Sequence, residues 1–262
     1  MGAKLHLIST PPAEGPATRE LDVVFVHGLG GDPFSTWRHG EDDTTSWPHW
    51  LAEDYGERIA VWSFGYPASK STAPRLIERL KKFLGFSTNE DAGFSMPLPR
   101  RGRNALHNLV NNDIGNRPCI FIAHSLGGLL VKTILRASHT DPASSDERRV
   151  ISNCKGVLFL ATPHLGSSLA TLYSGLHGCF PSITINELKA DDAHLEELNE
   201  WYRGIVQKYC IQTRSFAESR PTGNPCILVV PPASANPGID VPYGKKTVYL
   251  DVDHLQISRP EE

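Results

Sequence analysis

The sequence predicts an α/β fold in which a mostly parallel central sheet is covered by helices on both faces. Short apolar runs alternate along the chain with stretches whose apolar residues recur at helical spacing. Residues 21–26 and 119–123 are almost entirely apolar, which is typical of parallel strands buried on both faces. No internal repeat and no linker divides the chain. We therefore expect one domain over residues 1–262.

The N-terminal half supplies three of the predicted strands. Residues 4–9 alternate weakly and predict an edge strand, whereas residues 21–26 and 58–66 predict buried strands. The Trp-rich stretch 32–54 predicts a loop and a short helix packed on the sheet. Further predicted elements before the central strand are a helix over 76–84, a surface excursion over 85–99 and a helix over 101–110.

The stretch after residue 118 predicts a strand, a sharp turn and a helix. The strand covers residues 119–123, and the apolar spacing from Leu129 onward predicts a helix with Lys132 and Arg136 on its outer side. Between them, Ala123-His124-Ser125-Leu126-Gly127 fits the G-x-S-x-G nucleophile elbow, except that alanine stands at the first small position. A serine on such a turn stands clear of the backbone and can attack a substrate, so Ser125 is the candidate nucleophile. An ordinary Ser-Gly turn is the alternative.

The remaining elements continue the alternation of strands and helices. Residues 139–149 predict a polar loop, and strands are predicted over 156–161, 209–216, 227–230 and 246–252. Between the first two of these strands, the apolar spacing predicts an amphipathic helical stretch. We consider residues 166–208 a candidate lid over the serine, and a plain packing helix is an equally good interpretation.

A glycine-rich loop follows the predicted strand 21–26. In His27-Gly28-Leu29-Gly30-Gly31 the glycines let the backbone turn and bring its N–H groups close to a ligand. The N–H of Leu29, with that of Leu126 at the helix start, is therefore the candidate oxyanion hole. A phosphate-binding loop is the alternative, but neither G-x-G-x-x-G nor G-x-x-x-x-G-K-[ST] is present. We expect His27 to brace the loop.

Serine needs a base, and in this arrangement the chain order is serine, acid, histidine. The histidines after Ser125 are His139, His164, His177, His194 and His254. Only His164 and His254 follow predicted strands, and His164 precedes every loop that could supply the acid, so His254 is the candidate base. His124 is next to the serine, but the turn points its side chain away.

The acid is less constrained by the sequence. The candidates between the serine and the base are Glu218, Asp240, Asp251 and Asp253. Asp251 and Asp253 share a strand end with His254 and would struggle to reach its Nδ1. Glu218 follows a different strand and can approach the imidazole from the side, so it is preferred, with Asp240 as the alternative.

The composition also indicates which partners, metals and cellular location to expect. A net charge of −3 favours neither nucleic acid nor an anionic membrane as a partner, and membrane-surface contact is not indicated. The five cysteines have no regular spacing, and no H-E-x-x-H or paired C-x-x-C is present, so we expect no metal and no cofactor. The N-terminus lacks the apolar core of a signal peptide and no run is long enough to span a membrane. An intracellular, cytoplasmic setting is expected, and oligomeric state is not predicted.

Taken together, these motifs resemble the serine-active-site-containing protein 1 family, which consists of α/β-hydrolases of the lipase/esterase type. The likeness runs from about residue 20 to residue 260 and is carried by residues 27–31, 36–38, 124–132, 162–167, 216–222, 230–235 and 251–255. It implies Ser125 as nucleophile, His254 as base and Glu218 as acid, and relatives are linked to phospholipid remodelling. Two departures are Ala123 in place of glycine and the chain end at residue 262 without the expected closing helix, as in an excised domain.

Two classes of function are consistent with this sequence. The first is a serine hydrolase that cleaves carboxylic esters, including lipid acyl esters, through an acyl-enzyme. The second is an inactive or weakly active α/β-hydrolase domain used for recognition or signalling. A binding module needs none of Ser125, Glu218 and His254, so the presence of all three favours the hydrolase.

Overall fold

A seven-stranded sheet forms the centre of the molecule. The computed structural model describes residues 3–9, 19–40, 42, 45–66, 98–140, 143–165, 192–223 and 226–261. The strands are β1 (Lys4–Leu7), β2 (Leu21–Val26), β3 (Ile59–Gly65), β4 (Cys119–His124), β5 (Cys154–Leu160), β6 (Gln212–Glu218) and β7 (Val248–Leu250). Their order is β1-β3-β2-β4-β5-β6-β7, with β1 antiparallel to β3 and the other neighbouring pairs parallel. The predicted mostly parallel sheet with an N-terminal edge strand is confirmed.

Helices cover both faces of the sheet, as predicted. They are α1 (Trp47–Tyr55), α2 (Leu98–Val110), α3 (Leu126–Thr140), α4 (Ser145–Asn153), α5 (Asp192–Tyr209) and the single turn α6 (Pro232–Ala235), with 3₁₀ turns at Ser35–Trp37, Gly56–Arg58 and Gln256–Ser258. Helices α2 to α5 pack their apolar residues on one face, and α1 and α6 pack on the other. Burial of these two apolar layers is the main force that holds the sheet together.

The parallel arrangement brings distant parts of the chain to one edge of the sheet. Strand β4 lies between β2 and β5, and its residues Phe121 and Ala123 are fully buried. Because parallel strands end at the same edge, the segments after β2, β4, β6 and β7 meet there. The segments after β2, β4 and β7 carry the glycine-rich loop, Ser125 and His254, and Glu218 is the last residue of β6.

The predicted strand over residues 227–230 is wrong. Apart from one isolated bridge between Ile227 and Thr222, this segment is an irregular connection whose residues Val229 and Val230 are fully buried. The N–H of Val230 donates to the Glu218 carboxylate at 2.7 Å. The apolar run therefore indicated burial. Its backbone donates a hydrogen bond to a side chain and not to a neighbouring strand.

The predicted loop over residues 139–149 is also wrong. Helix α3 continues to Thr140 and α4 begins at Ser145, capped by the Ser144 side chain, which accepts the N–H of Glu147 at 3.2 Å. Such a cap satisfies a donor that the helix itself leaves free. Most of α4 is polar, and only its residues Val150 and Ile151 carry an apolar side chain into the core, which left the sequence with little helical periodicity.

Several sequence-based expectations fall on residues that are not described. The helix over 76–84, most of the excursion over 85–99, residues 166–191 of the candidate lid and His177 lie outside the described residues. Residues 192–208 of the candidate lid lie in α5, whose side chains Tyr202 and Val206 are fully buried in the core. This part of the stretch packs its apolar residues against the core. None of the described helices has the length and the hydropathy needed to cross a membrane.

Candidate active site

The centre of the site is the turn between β4 and α3. Ser125 has a φ of 53°, a left-handed conformation that is rare for residues other than glycine. Its N–H donates to the carbonyl of Leu160 on β5 at 2.8 Å, and its own carbonyl accepts the N–H of Gly128 at 3.0 Å. The strained residue is thus held by the sheet on one side and by the first turn of α3 on the other, the arrangement expected of a nucleophile elbow.

Small residues on either side of the turn allow this geometry. A Cβ placed on Gly127 would lie 2.3 Å from the carbonyl oxygen of Val26 and 2.5 Å from that of His27, so any side chain there would collide with backbone. Ala123, at the position where glycine is usual, is fully buried. The methyl group of Ala123 is therefore accommodated in the core, whereas Gly127 has no space for any side chain.

His254 lies beside the serine. It follows β7, is 1% exposed, and its Nε2 is 3.0 Å from the Oγ of Ser125. Its backbone N–H donates to the Oγ1 of Thr222 at 2.9 Å. A distance of 3.0 Å is within the range in which an imidazole accepts a proton from a hydroxyl group.

Glu218 contacts the other nitrogen of the same imidazole. It is the last residue of β6, it is 1% exposed, and its Oε1 is 3.3 Å from the Nδ1 of His254. The same oxygen accepts the backbone N–H of Val230 at 2.7 Å. Ser125, His254 and Glu218 therefore form a continuous chain of contacts, assembled from three separate parts of the chain at one edge of the sheet.

The other candidate carboxylates have different surroundings. Asp240 is exposed and lines a surface groove with Arg203 and Gln207 of α5. Asp251 forms an exposed ion pair with Arg220, with a distance of 2.6 Å between the Nη2 and Oδ2 atoms. The Oδ1 of Asp253 accepts the N–H groups of the two residues after His254, each at 2.8 Å, and so caps the turn that carries the imidazole.

The glycine-rich loop after β2 lies against the serine. A Cβ on Gly28 would be 2.8 Å from the Cβ of Ser125, so the backbone that leads to Leu29 packs closely against Ser125. His27 donates from Nδ1 to the carbonyl of Gly28 at 2.9 Å and accepts the N–H of Tyr66 on Nε2 at 3.3 Å. The Tyr66 ring stacks on the His27 ring with 4.4 Å between centroids. His27 braces the loop through these contacts.

The other described histidines that follow Ser125 in the chain are His139, His164 and His194. The ring of His139 contacts the hydroxyl of Tyr209 at 3.0 Å, and His194 belongs to α5. His164 is fully buried in the loop after β5, where its Nδ1 is 2.7 Å from the Nζ of Lys132.

Lys132 was expected on the outer side of α3, and this expectation is wrong. The side chain is fully buried, donates to the Oδ1 of Asn199 at 2.7 Å, and lies 5.2 Å from the centroid of the Tyr202 ring. Burial lowers the pKa of the Lys132 ammonium well below its usual value, because a charge is poorly solvated in the core. Hydrophobic periodicity cannot reveal this position, since a buried lysine depends on partners that are distant in sequence.

Three buried histidines make the stability of the fold dependent on pH. Burial lowers the pKa of His27 to about 4, that of His124 to about 3, and that of His164 well below the usual 6.5. A nearby positive charge also contributes for His124, from His254, and for His164, from Lys132. In the unfolded chain each imidazole binds a proton below pH 6.5, whereas the folded protein keeps all three neutral to a lower pH.

We therefore expect stability to fall as the pH drops below about 6.5. Each histidine whose folded pKa is about 4 or lower contributes roughly 2 kcal/mol of lost stability between pH 7 and pH 5. Urea unfolding at pH 7, 6 and 5 measures this loss. Replacing His124 by glutamine removes one titrating group and should make the slope shallower. A protein equally stable at pH 7 and pH 5 would contradict the expectation.

Comparison with known proteins finds one matching family model and several relatives that are similar in sequence. Residues 104–179 match the family model DUF676, described as "Putative serine esterase", a span that includes Ser125 but ends before Glu218 and His254. The chain is 36% identical to Protein SERAC1 of Danio rerio over 263 aligned positions, which cover 93% of this chain and 37% of that protein. It is 33% identical to Protein SERAC1 of Homo sapiens, over 93% of this chain and 36% of that protein. The chain thus spans a little over a third of the length of these relatives.

Solved structures with the same fold are more distant in sequence. Phospholipase PlaB from Legionella pneumophila is 16% identical with a TM-score of 0.53, over 84% of this chain and 45% of that chain. A lipase-esterase related protein from Clostridium acetobutylicum is 12% identical with a TM-score of 0.51, over 98% of this chain and 94% of that chain. These similarities confirm the α/β-hydrolase fold.

Proposed function

This chain is homologous to the SERAC1 proteins across 93% of its own length, and from that premise we propose that it is a serine ester hydrolase that acts through an acyl-enzyme. The observation that carries the proposal is the contact chain Ser125–His254–Glu218, with distances of 3.0 Å and 3.3 Å between the contacting atoms. All three residues are 1% exposed. In such a site, water competes little for these hydrogen bonds.

In the first half of the reaction, the Oγ of Ser125 attacks the carbonyl carbon of the ester while its proton passes to the Nε2 of His254. The negative charge that develops on the carbonyl oxygen is stabilised by the N–H groups of Leu29 and Leu126. The tetrahedral intermediate then collapses, the bond to the alcohol breaks, and His254 gives its proton to the leaving alkoxide. The product of this half is an acyl group on Ser125.

In the second half, His254 removes a proton from water, which attacks the acyl carbonyl carbon. Collapse releases the carboxylic acid and returns the proton to the Oγ of Ser125. Throughout, Glu218 accepts the hydrogen bond of the His254 Nδ1–H, which keeps the imidazole in the required tautomer and stabilises its protonated form. The N–H of Val230 fixes the carboxylate in turn.

We propose carboxylic esters, including lipid acyl esters, as the substrate class. The family model matched over residues 104–179 is described as "Putative serine esterase", and one protein of similar fold is a phospholipase. A panel of p-nitrophenyl esters of increasing acyl length, with phospholipid vesicles alongside, tests the proposal. Hydrolysis of at least one class supports it, whereas a folded protein inert toward the whole panel would favour the recognition or signalling module instead.

The proposed chemistry needs no metal ion. Among the described ranges between residues 3 and 261, no three His, Cys, Asp or Glu side chains are grouped so that they could hold one. We therefore expect esterase activity to be unchanged by EDTA, because serine, histidine and backbone N–H groups supply nucleophile, base and charge stabilisation. Assays before and after dialysis against EDTA measure this. An activity that disappears with EDTA and returns with zinc would contradict it.

A further inference from the structure

His124 contacts the main chain of the proposed base. It is the last residue of β4, directly before Ser125, and it is 5% exposed. Its Nε2 lies 2.8 Å from the backbone carbonyl oxygen of His254. A carbonyl oxygen can only accept a hydrogen bond, so the Nε2 of His124 carries the proton and donates it.

The bond from His124 comes from a different part of the sheet than the other hydrogen bonds that hold His254. The backbone N–H of His254 is held by Thr222 and its Nδ1 contacts Glu218, both from the segment at and after β6. His124 instead belongs to β4, the strand that carries Ser125. Adjacent residues of one strand end therefore meet His254 at two points, its Nε2 and its carbonyl oxygen. Together they fix the distance between nucleophile and base, even though the base lies on a separate loop.

The charge state of His124 suits this role. Burial, together with the charge of His254, lowers the pKa of His124 to about 3, so the ring is neutral wherever His254 acts as a base. The centroids of the two rings are 5.0 Å apart. A second positive charge at that distance would oppose the imidazolium that forms on His254, whereas a neutral donor does not.

The same ring also supports the glycine-rich loop. A Cβ on Gly28 would lie 3.1 Å from the Nδ1 of His124, so the loop backbone that leads to Leu29 packs directly on the imidazole. One side chain therefore contacts both the loop of the candidate oxyanion donor and the loop of the candidate base.

We propose that His124 is a positioning residue, which holds the base-bearing loop against the nucleophile strand through its Nε2–H. The proposal rests on the proposed function, because it assigns His124 to the same site. A displacement of about 1 Å between reacting groups can lower a rate by about 100-fold. We expect His124→Leu, which cannot donate, to lower kcat and the rate of fluorophosphonate labelling by about 10- to 100-fold, with a much smaller change in KM.

The variant His124→Gln should restore the hydrogen bond that His124→Leu lacks. Its amide nitrogen can occupy the position of the histidine Nε2 and donate to the same carbonyl, so His124→Gln should react close to the wild-type rate. His124→Asn carries the same amide on a shorter side chain and should be as slow as His124→Leu. His139→Leu, which removes a histidine that contacts Tyr209, serves as a control and should retain activity. Thermal stability is measured for each variant, and rates are compared per folded molecule.

The outcomes separate this proposal from the proposed function. If wild-type protein is not labelled, the serine hydrolase proposal itself fails. If wild-type protein is labelled and His124→Leu reacts at the same rate, the positioning role is overturned. It is also overturned if the glutamine and asparagine variants are equally slow, since the donated hydrogen bond would then not be the cause. Should His124→Leu not fold, the comparison of glutamine with asparagine still decides the question.

Discussion

Ser125→Ala is expected to lower esterase activity by at least about 10⁴-fold while leaving thermal stability nearly unchanged. The Oγ removed by this change has its described hydrogen bond with the Nε2 of His254, and its loss should alter the free energy of unfolding by about 1 kcal/mol or less. Alanine keeps the Cβ, so the left-handed backbone is strained to the same degree in both proteins. Steady-state kinetics and thermal melts on the purified variant measure the two effects.

Ser138, on the helix α3 that follows Ser125, offers a matched control. Its hydroxyl donates to the carbonyl of Glu147 and accepts the N–H of Ile151 at 3.1 Å, in a fully buried position. Ser138→Ala should therefore lower stability by roughly 1 to 3 kcal/mol, since the buried N–H and carbonyl lose their partner, but keep activity per folded molecule. Retention of most of the wild-type kcat by Ser125→Ala would end the serine hydrolase account.

The second large effect is expected at Glu218. Glutamine in its place can still accept the N–H of Val230, so the local backbone should be retained. It cannot stabilise the imidazolium on His254 by charge, and an amide turned the other way would favour the wrong tautomer. The equivalent change in a serine protease costs about 10⁴ in kcat, and we expect a loss of similar size.

Asp240→Asn is the control for that experiment. Asp240 is exposed and lines a groove beside α5, so its change should leave kcat close to the wild-type value. Kinetics on both single variants, with stability measured in parallel, decide which carboxylate serves His254. A strongly reduced kcat for Asp240→Asn, together with a kcat close to the wild-type value for Glu218→Gln, would show that Asp240 is the acid. Ser125 and His254 would keep their roles in that case.

Much of this arrangement could be predicted from the sequence because its signals are local. A strand, a small residue, Ser125 and Gly127 occur together in one short stretch, and the alternation of strands and helices predicts a parallel sheet. In such a sheet the strand ends share an edge, so residues after different strands can be expected to meet. That reasoning placed Glu218 and His254 near Ser125, and in the structure the three side chains are in contact.

The features that the sequence did not reveal depend on contacts between distant residues. Lys132 has a polar side chain that matches an exposed helical position, and its burial is made tolerable by contacts such as those with His164 and Asn199. The run 227–230 is as apolar as a strand, yet the N–H of Val230 bonds to Glu218. The bond from His124 to the carbonyl of His254 joins residues far apart in the chain, and no local pattern signals it.

Identification of the residue that forms a covalent adduct with a fluorophosphonate tests the central claim most directly. Such a probe reacts with a serine only when a base activates it, so it reports on Ser125 and His254 together. After labelling of the folded protein and proteolysis, mass spectrometry should find the adduct on the peptide that contains Ser125, and Ser125→Ala should carry none. An adduct on a different residue, or ester hydrolysis by a protein whose Ser125 is never labelled, would contradict the account.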